Sequence, residues 1–424
     1  MKKNVWIINH YAGNTFFEKG GRHYALAKYL RQAGYSPVVF CCNAQHNSEK
    51  QSYLQMDGTW EEQIAEEIGI PYVFVQGRTY TGNGKQRILN MVDFYRNVKK
   101  TAKEYAAAHE KPDIIYASSV HPLTLVAGQQ LAKRFGIKCI CEIRDLWPES
   151  ILVYSDRIKK GSLFAKLLYC GEKWLYKKAD ALIFTMAGGA DYIKEHRWDR
   201  EHSGPIDLDK VFHINNGVDL EVFDQNAEEF RYEDSELDDA KIFKAVYAGS
   251  IRRVNQVGTL LDAAKLLDPK KVRLLIFGSG DESDELRERV IREKIENVSF
   301  KGRVDKKYIP SIVKRADLNI VHWQTSPLIR YGDSSNKSFE YFAAGRPVLF
   351  TTRPGYSVVE RYQCGFTAND QKPESIAKAI NECLYLSVDE RAALCRNARS
   401  AAKEYDFKKL TEKLIEIIET IKNN

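Results

Sequence analysis

Short, almost wholly apolar runs alternate along this chain with longer stretches of helical spacing, and they do so in two successive series. The first series is VWII (5–8), PVVFCC (37–42), PYVFV (71–75), DIIYAS (113–118), IKCICEI (137–143), DALIFT (180–185) and KVFHIN (210–215). The second is IFKAVYAG (242–249), VRLLIFG (272–278), NVSF (297–300), DLNIV (317–321), RPVLFT (346–351) and CGFTA (364–368). Strands that are apolar on both faces, with helices between them, make parallel sheets covered on both sides. The pattern predicts an α/β protein of two Rossmann-like domains in tandem, over 1–215 and 216–405. The divide is expected in the acidic stretch Asp219 to Asp239. Ligands of such sheets sit at the carboxyl ends of the strands, which predicts a site in a cleft between the domains.

Composition removes several classes of function. At 424 residues, with 44% hydrophobic and 29% charged, the chain is an ordinary globular protein long enough for two or three domains. No stretch approaches the ~20 apolar residues of a membrane span. The N-terminus MKKNVWIINHYAG reads as a first strand and not as a leader. Eight scattered cysteines without a CxxC predict a reduced, cytosolic protein with neither a disulfide framework nor a zinc site. Cys139 and Cys141 are expected on one side of a strand. A net charge of +7 suits an anionic small molecule or membrane face. Without zinc-finger spacing or an RNA-binding aromatic motif, nucleic acid is excluded as a partner. Between Arg157 and Lys178 seven basic residues face a single acid, Glu172, while Leu163, Phe164, Leu167, Leu168, Trp174 and Leu175 recur at helical spacing. Such a helix either lies on a membrane surface or packs its stripe on a sheet with its lysines solvated.

The densest chemistry lies in SSNKSFEYFAAGRP, Ser334 to Pro347. Ser334 or Ser335 is expected to cap a helix whose free amides, with Asn336, face an anion. Lys337 and Glu340, three apart, share one face of it. A cation, an anion cradle and a carboxylate acceptor in one short element suit the diphosphate and ribose of a sugar nucleotide. Gly20 and Gly21 precede a helix at Arg22 and permit close approach of a ligand. Gly249 ends a strand, and Arg252 and Arg253 after it form a diphosphate clamp. Gly278-Ser279-Gly280 ends the next strand but is not GxGxxG, and no acid ~20 residues on reads a ribose, so a dinucleotide enzyme is a poor fit. His121 ends a strand as a candidate base or ligand. Arg144, Asp145 and Glu149, braced by Trp147 and Pro148, form a charged loop at another carboxyl end.

These segments together resemble family 4 of the bacterial glycosyltransferases, the retaining group with the two-domain GT-B fold, in its lipopolysaccharide and capsule branch. The resemblance is carried by KGGRHYALAKYLRQAGY (19–35), EIRDLWPES (142–150), INNGVD (214–219), YAGSIRR with TLLDAAKLL (247–267), FGSGDESDEL (277–286), VSFKGRV (298–304) and SSNKSFEYFAAGRPVL (334–349). It implies that Glu340 holds the ribose hydroxyls and that backbone at Gly302, Arg303 and Val304 reads the base, which suggests uracil. It assigns Asn336, Lys337 and Arg253 to the phosphates and places Gly20 and Gly21 under the donor. It implies that the final helix, 406–424, crosses back onto the first domain. The chain departs from the family at Gly332, where the first Glu of the E-x7-E pair would stand, with Asp333 as a candidate substitute. Asn255 stands for the usual phosphate lysine, and Arg144 for the cleft histidine.

The implied reaction moves a hexose or N-acetylhexosamine from a UDP-sugar to a glycan acceptor, lipid-linked, in cell-surface polysaccharide synthesis. Catalytic roles fall to Arg253, Lys337, Glu340 and Asp145, and acceptor contacts to His121, Arg144 and Glu149. No cofactor or metal is expected, because cationic side chains and helix amides take that role. The resemblance places the protein in the cytoplasm, with a peripheral contact at the inner membrane face. A UDP-sugar 2-epimerase of the same fold and a non-catalytic nucleotide-binding subunit are the alternative readings.

Overall fold

Runs buried on both faces build two sheets. The computed structural model describes residues 3–46, 51–82, 84–154 and 159–423. The chain divides into one unit of residues 1–215 with 407–424 and a second of residues 216–406. The first contains β1 (Lys3–Ile8), β2 (Tyr35–Cys42), β3 (Trp60–Ala65), β4 (Ile70–Val75), β5 (Ile114–Ser118), β6 (Lys138–Ile143), β7 (Ala181–Phe184) and β8 (Val211–His213), in the order β3-β4-β2-β1-β5-β6-β7-β8. The second contains β9 (Phe243–Ala248), β10 (Val272–Phe277), β11 (Val298–Gly302), β12 (Leu318–Val321), β13 (Val348–Phe350) and β14 (Gly365–Thr367), ordered β11-β10-β9-β12-β13-β14 and parallel throughout. In each sheet the chain starts near the middle and winds both ways. The switch points therefore lie at the ends of β1 and β9, where such sheets bind ligands.

Two expectations needed correction. The first sheet is not wholly parallel, because β3 pairs antiparallel with β4, from Trp60 opposite Val75 to Ala65 opposite Ile70. Its sequence, WEEQIA, is largely half-buried, and Glu61, Glu62 and Gln63 at its centre suit an edge strand with one solvated face, so it gives no apolar run. The acidic stretch Asp219 to Asp239 is not a linker either. The units part at Asn215 and Asn216, and the stretch forms helices Leu220–Glu229 and Ser235–Asp238. Asp219 caps the first of these through the Val222 amide, and Leu220, Phe223 and Leu237 are buried in the second unit's core.

Five helices carry chemistry or close a core: α1 (Arg22–Gln32), α2 (Pro122–Phe135), α3 (Leu163–Lys178), α4 (Asn336–Ala343) and α5 (Phe407–Asn423). In α2, Pro122 starts the helix and Gly136, at φ 70°, ends it in the left-handed region that favours glycine. Cys139 and Cys141 lie on one face of β6 with their sulfurs 4.0 Å apart. In α5, Phe407, Leu410, Leu414, Ile417, Ile418 and Ile421 recur every three or four residues and are all buried. That stripe packs on α1 and completes the first unit's core, and Lys3 pairs with Glu419 at its edge. Leu414 is 1% exposed, so Leu414→Ala should destabilise the first unit by about 2–5 kcal/mol. Leu414→Met should cost less than about 1.5 kcal/mol. Urea unfolding of the whole chain, followed through the first unit's transition, checks both.

Candidate functional site

The second unit gathers its polar groups at the carboxyl ends of β9, β10 and β11. Three glycines bring the loops there into backbone contact. The Gly249 amide donates to Phe277 O at 2.9 Å and the Gly278 amide to Gly302 O at 2.7 Å. Gly278 has φ 139°, and a Cβ there would lie 1.8 Å from the Gly249 oxygen. No other residue fits that position without separating the loops. A Cβ at Gly249 would in turn lie 2.7 Å from Lys337 Nζ. The missing side chain thus makes room for the ammonium of α4.

Lys337 occupies that space. Its Nζ donates to the Tyr247 hydroxyl at 3.4 Å and lies 4.7 Å above the same ring, a cation–π arrangement. Burial lowers its pKa to about 8, with Asp333 and Glu340 acting in the opposite direction. Tyr341 anchors α4 from below: its hydroxyl accepts from the Ala248 amide at 2.8 Å and donates to Ala248 O at 3.1 Å. Asn216 holds the segment before the helix, donating through Nδ2 to Ser334 O at 2.5 Å.

The helix cap differs from expectation. Ser335 stands at the N-cap position, but its side chain does not cap α4. Asp333 organises the turn instead, accepting from the Ser335 amide at 2.9 Å and from Ser338 Oγ at 2.6 Å, while Ser335 Oγ meets Ser338 Oγ at 2.7 Å. No side chain caps the first turn, which leaves the amides of Asn336, Lys337 and Ser338 for an anion. Glu340 is half-buried one turn after Lys337. Arg252, Arg253 and Arg303 are exposed, and Val304 is half-buried beside Arg303. Asn255 is engaged locally, with Ser250 Oγ donating to its Oδ1 at 2.9 Å.

The first unit places a buried polar network at the ends of β1, β5 and β6. Gly21, at φ 88°, turns the chain into α1, so that Arg22 enters the protein at the helix's first position. Arg22 is buried and donates to Glu142 at 2.7 Å, to Ile214 O at 3.0 Å and to Asn215 O at 2.5 Å. Glu142 also accepts from Ser118 Oγ at 2.6 Å and from the Tyr116 hydroxyl. Burial alone would raise the carboxyl's pKa, but Arg22, His23, Arg144 and Ser118 outweigh it and hold the pKa at about 2. Gly20 precedes this turn, its amide donating to Thr15 O at 3.2 Å.

Two of the candidate acceptor residues are not available. His121 is 1% exposed, with its Nε2 2.6 Å from His10 Nδ1, and burial depresses both imidazoles. It is a neutral core group and not an accessible base. Glu149 is buried on a short helix, Glu149–Tyr154, where it pairs with Lys160 and accepts from the Tyr169 hydroxyl. Arg144 is half-buried, and its amide donates to Ser119 Oγ at 3.0 Å. Asp145 is exposed as a residue and lines a mainly apolar cavity. Desolvation of its carboxyl by the surrounding protein raises its pKa, and Arg144 and Arg87 act against that rise.

Sequence reasoning missed Arg22, Glu142, Tyr247, Tyr341 and Asn216. All five lie inside motifs already singled out, and the signal for Glu142 was an acid in an otherwise apolar strand. Such a residue needs a buried partner. Tyr247 and Asn216 act through contacts that no local spacing reveals.

Comparison with known proteins defines the class first. The fold is that of the GT-B glycosyltransferases. Sucrose-phosphate synthase from Thermosynechococcus elongatus superposes with a TM-score of 0.71 at 16% identity, covering 99% of each chain. Anabaena Alr3699/HepE in complex with UDP superposes at 0.64 with 17% identity, covering 99% of this chain and 100% of that one. Residues 22–222 match the model for Glycosyltransferase Family 4, and residues 243–385 match that for group 1 glycosyl transferases. Between them these models take in most of both units, and the chain belongs to the glycosyltransferases they describe. A Bacillus subtilis relative described as a putative teichuronic acid biosynthesis glycosyltransferase, TuaH, is 24% identical over 271 residues. That match spans 63% of each protein.

The buried pair gives a test of the first unit's polar network. Glu142→Gln leaves Arg22 charged without its counter-ion and should cost about 3–5 kcal/mol at neutral pH. The wild-type carboxyl has a pKa of about 2 when folded, against 4.5 for a glutamate free of these contacts. Its stabilisation is therefore complete above pH 4.5 and lost as the pH falls toward 2. The stability difference between wild type and Glu142→Gln, from urea midpoints at several pH values, should shrink over that interval.

Proposed function

We propose that the chain is a retaining, metal-independent glycosyltransferase. It moves a hexose or N-acetylhexosamine from a UDP-sugar to a lipid-linked glycan in cell-surface polysaccharide synthesis. The observation that carries this reading is the Lys337 ammonium, lodged in the space that Gly249 leaves, beside the uncapped first turn of α4. A cation and amides converging at a sheet switch point suit a diphosphate leaving group. The family supports transfer chemistry. HepE, a structural neighbour solved with UDP and with UDP-glucose, supports the donor, and TuaH, described as a putative teichuronic acid biosynthesis glycosyltransferase, supports the pathway class.

The chemistry follows from charge. Cleavage of the bond from anomeric carbon to phosphate oxygen leaves positive charge on the sugar and negative charge on the diphosphate, so pre-placed donors to the diphosphate lower the barrier. Lys337, Arg253, Arg252 and the α4 amides supply them. Glu340 accepts from the ribose hydroxyls, and backbone at Gly302, Arg303 and Val304 reads the uracil. The acceptor hydroxyl attacks from the face the diphosphate leaves and transfers its proton to the departing phosphate oxygen, which gives retention. Asp145 orients the acceptor.

A charge-assisted hydrogen bond contributes about 1.5–3 kcal/mol. At ~1.4 kcal/mol per decade, Lys337→Ala should cut kcat/KM for the donor by about one to two decades, with the fold intact by circular dichroism. Glu340→Ala should raise the donor KM, and wild-type kinetics in both variants would refute the assignment. Because Lys337 must be protonated to face the diphosphate, kcat/KM should fall as the pH rises above about 8. That alkaline limb should be missing in Lys337→Ala. Turnover should persist in EDTA, and proton NMR of the product should show the donor's anomeric configuration.

A further inference from the structure

Helix α3 carries its apolar stripe on the outside. Leu163, Phe164, Leu167 and Trp174 are 84%, 54%, 67% and 43% exposed. Its inward face is made by Ala165, Glu172, Leu175 and Tyr176. Ser162 caps the helix, accepting from the Ala165 amide at 3.2 Å, so the element is well formed although its apolar stripe faces water. At 3.6 residues per turn, Leu163, Phe164, Leu167 and Trp174 form one stripe, and Lys166, Lys173 and Lys177 form a second beside it. Lys178 reaches back over the stripe, with Nζ 4.6 Å from the Trp174 ring. From 159 to 178 there are six lysines and one acid, Glu172. That acid is buried, bonded to the Tyr176 and Tyr192 hydroxyls, and offers no negative charge to the surface. Arg157, which opens the basic stretch in the sequence, lies outside the described residues.

Behind this stripe is a cavity of about 270 Å³. Leu167 and Trp174 belong to both the stripe and the cavity wall, and Trp147, Pro148, Leu125 and Val126 form much of the remainder. Asp145 sits in the same wall. An apolar stripe, a basic stripe and an aromatic residue at their border match an anionic lipid surface in charge and polarity. A protein partner would be expected to meet mixed charge, whereas every accessible charge on this helix is positive.

We propose that α3 docks the protein on an anionic leaflet and that the cavity bordered by Leu167 and Trp174 receives the hydrocarbon chain of the lipid-linked acceptor, leading its head toward Asp145. The acceptor half rests on the reading given under Proposed function; the docking half does not. Lysines near an anionic surface are attracted to it, and salt screens that attraction.

Docking is tested by sedimentation of the full chain with phosphatidylcholine vesicles, with and without phosphatidylglycerol. Wild type should bind the anionic vesicles at least about tenfold more tightly, and added salt should weaken that binding. The surface variant Leu163→Ser/Phe164→Ser, and separately Lys166→Glu/Lys173→Glu, should each lose about tenfold or more. Transfer to a water-soluble acceptor, or donor hydrolysis, should be unchanged in both. Equal binding to neutral and anionic vesicles, or wild-type binding by both variants, would overturn the docking surface. The cavity is tested with farnesol, a hydrocarbon probe without phosphate, through tryptophan fluorescence. Gly171 lines the cavity, and a Cβ there meets nothing within 4 Å, so Gly171→Phe can start a side chain at the cavity wall and bring a ring into the space. Saturable quenching by farnesol in wild type, weakened at least about tenfold in Gly171→Phe, is the expected result. No saturable binding, or none of that loss, would overturn the lipid pocket. Neither assay requires turnover, so a wrong reaction would leave both results standing.

Discussion

The second unit is organised around a side chain that is absent. Gly249 ends the central strand of its sheet, and its missing Cβ is the space in which the Lys337 ammonium sits. The neighbouring loops can close around that point only because Gly278 takes φ 139° and lets its backbone meet the Gly249 carbonyl. Tyr247 lies beneath the cation, and Tyr341 ties the helix to the same strand end. A cation held in this way has lost water to burial, and among the described residues no carboxylate forms a salt bridge with it. Its depressed pKa expresses that cost, and an incoming diphosphate would relieve it. On the proposed reading, relief of that desolvation contributes to the affinity for a diphosphate.

The first unit solves the opposite problem. There the buried cation, Arg22, is paired with Glu142 and two backbone carbonyls, and the carboxylate is further satisfied by Tyr116 and Ser118. A network with its partners in place rigidifies the strand ends and leaves little for a ligand. What the first unit does leave open is Asp145, on the loop that follows Glu142 by three residues. The strand fixes one acid in the core and exposes the next acid at the cavity wall. That division explains why a single short segment reads as both a structural and a functional motif.

Much of this was legible because parallel strands buried on both faces announce themselves as apolar runs. β3 was not, since a half-solvated edge strand such as WEEQIA has no such run. The charged candidates, Lys337, Glu340 and Arg253 in the second unit and Asp145 in the first, were picked out by their position after strands. The groups that hold them could not. Tyr247 touches Lys337 across 90 residues and Asn216 reaches Ser334 across 118, and neither separation has a periodicity to betray it. Burial is equally invisible in one dimension. His121 and Glu149 carry the right chemistry at the right strand ends, and only packing shows that one is sealed against His10 and the other is paired with Lys160. The α3 stripe misleads in the other direction, because its spacing fits a core helix equally well.

The remaining departure from the family pattern has a backbone cause. Gly332 has φ 116°, a conformation that residues with a Cβ rarely adopt. A glutamate at that position would be strained before it touched any ligand. Asp333, its neighbour, is committed to the turn that starts α4, its two oxygens accepting from the Ser335 amide and the Ser338 hydroxyl. That turn leaves the first turn of α4 without a side-chain cap. On the proposed reading, selectivity for the sugar has to come from backbone groups or from residues elsewhere, and Lys337 with the α4 amides carries the diphosphate without the lysine that Asn255 replaces.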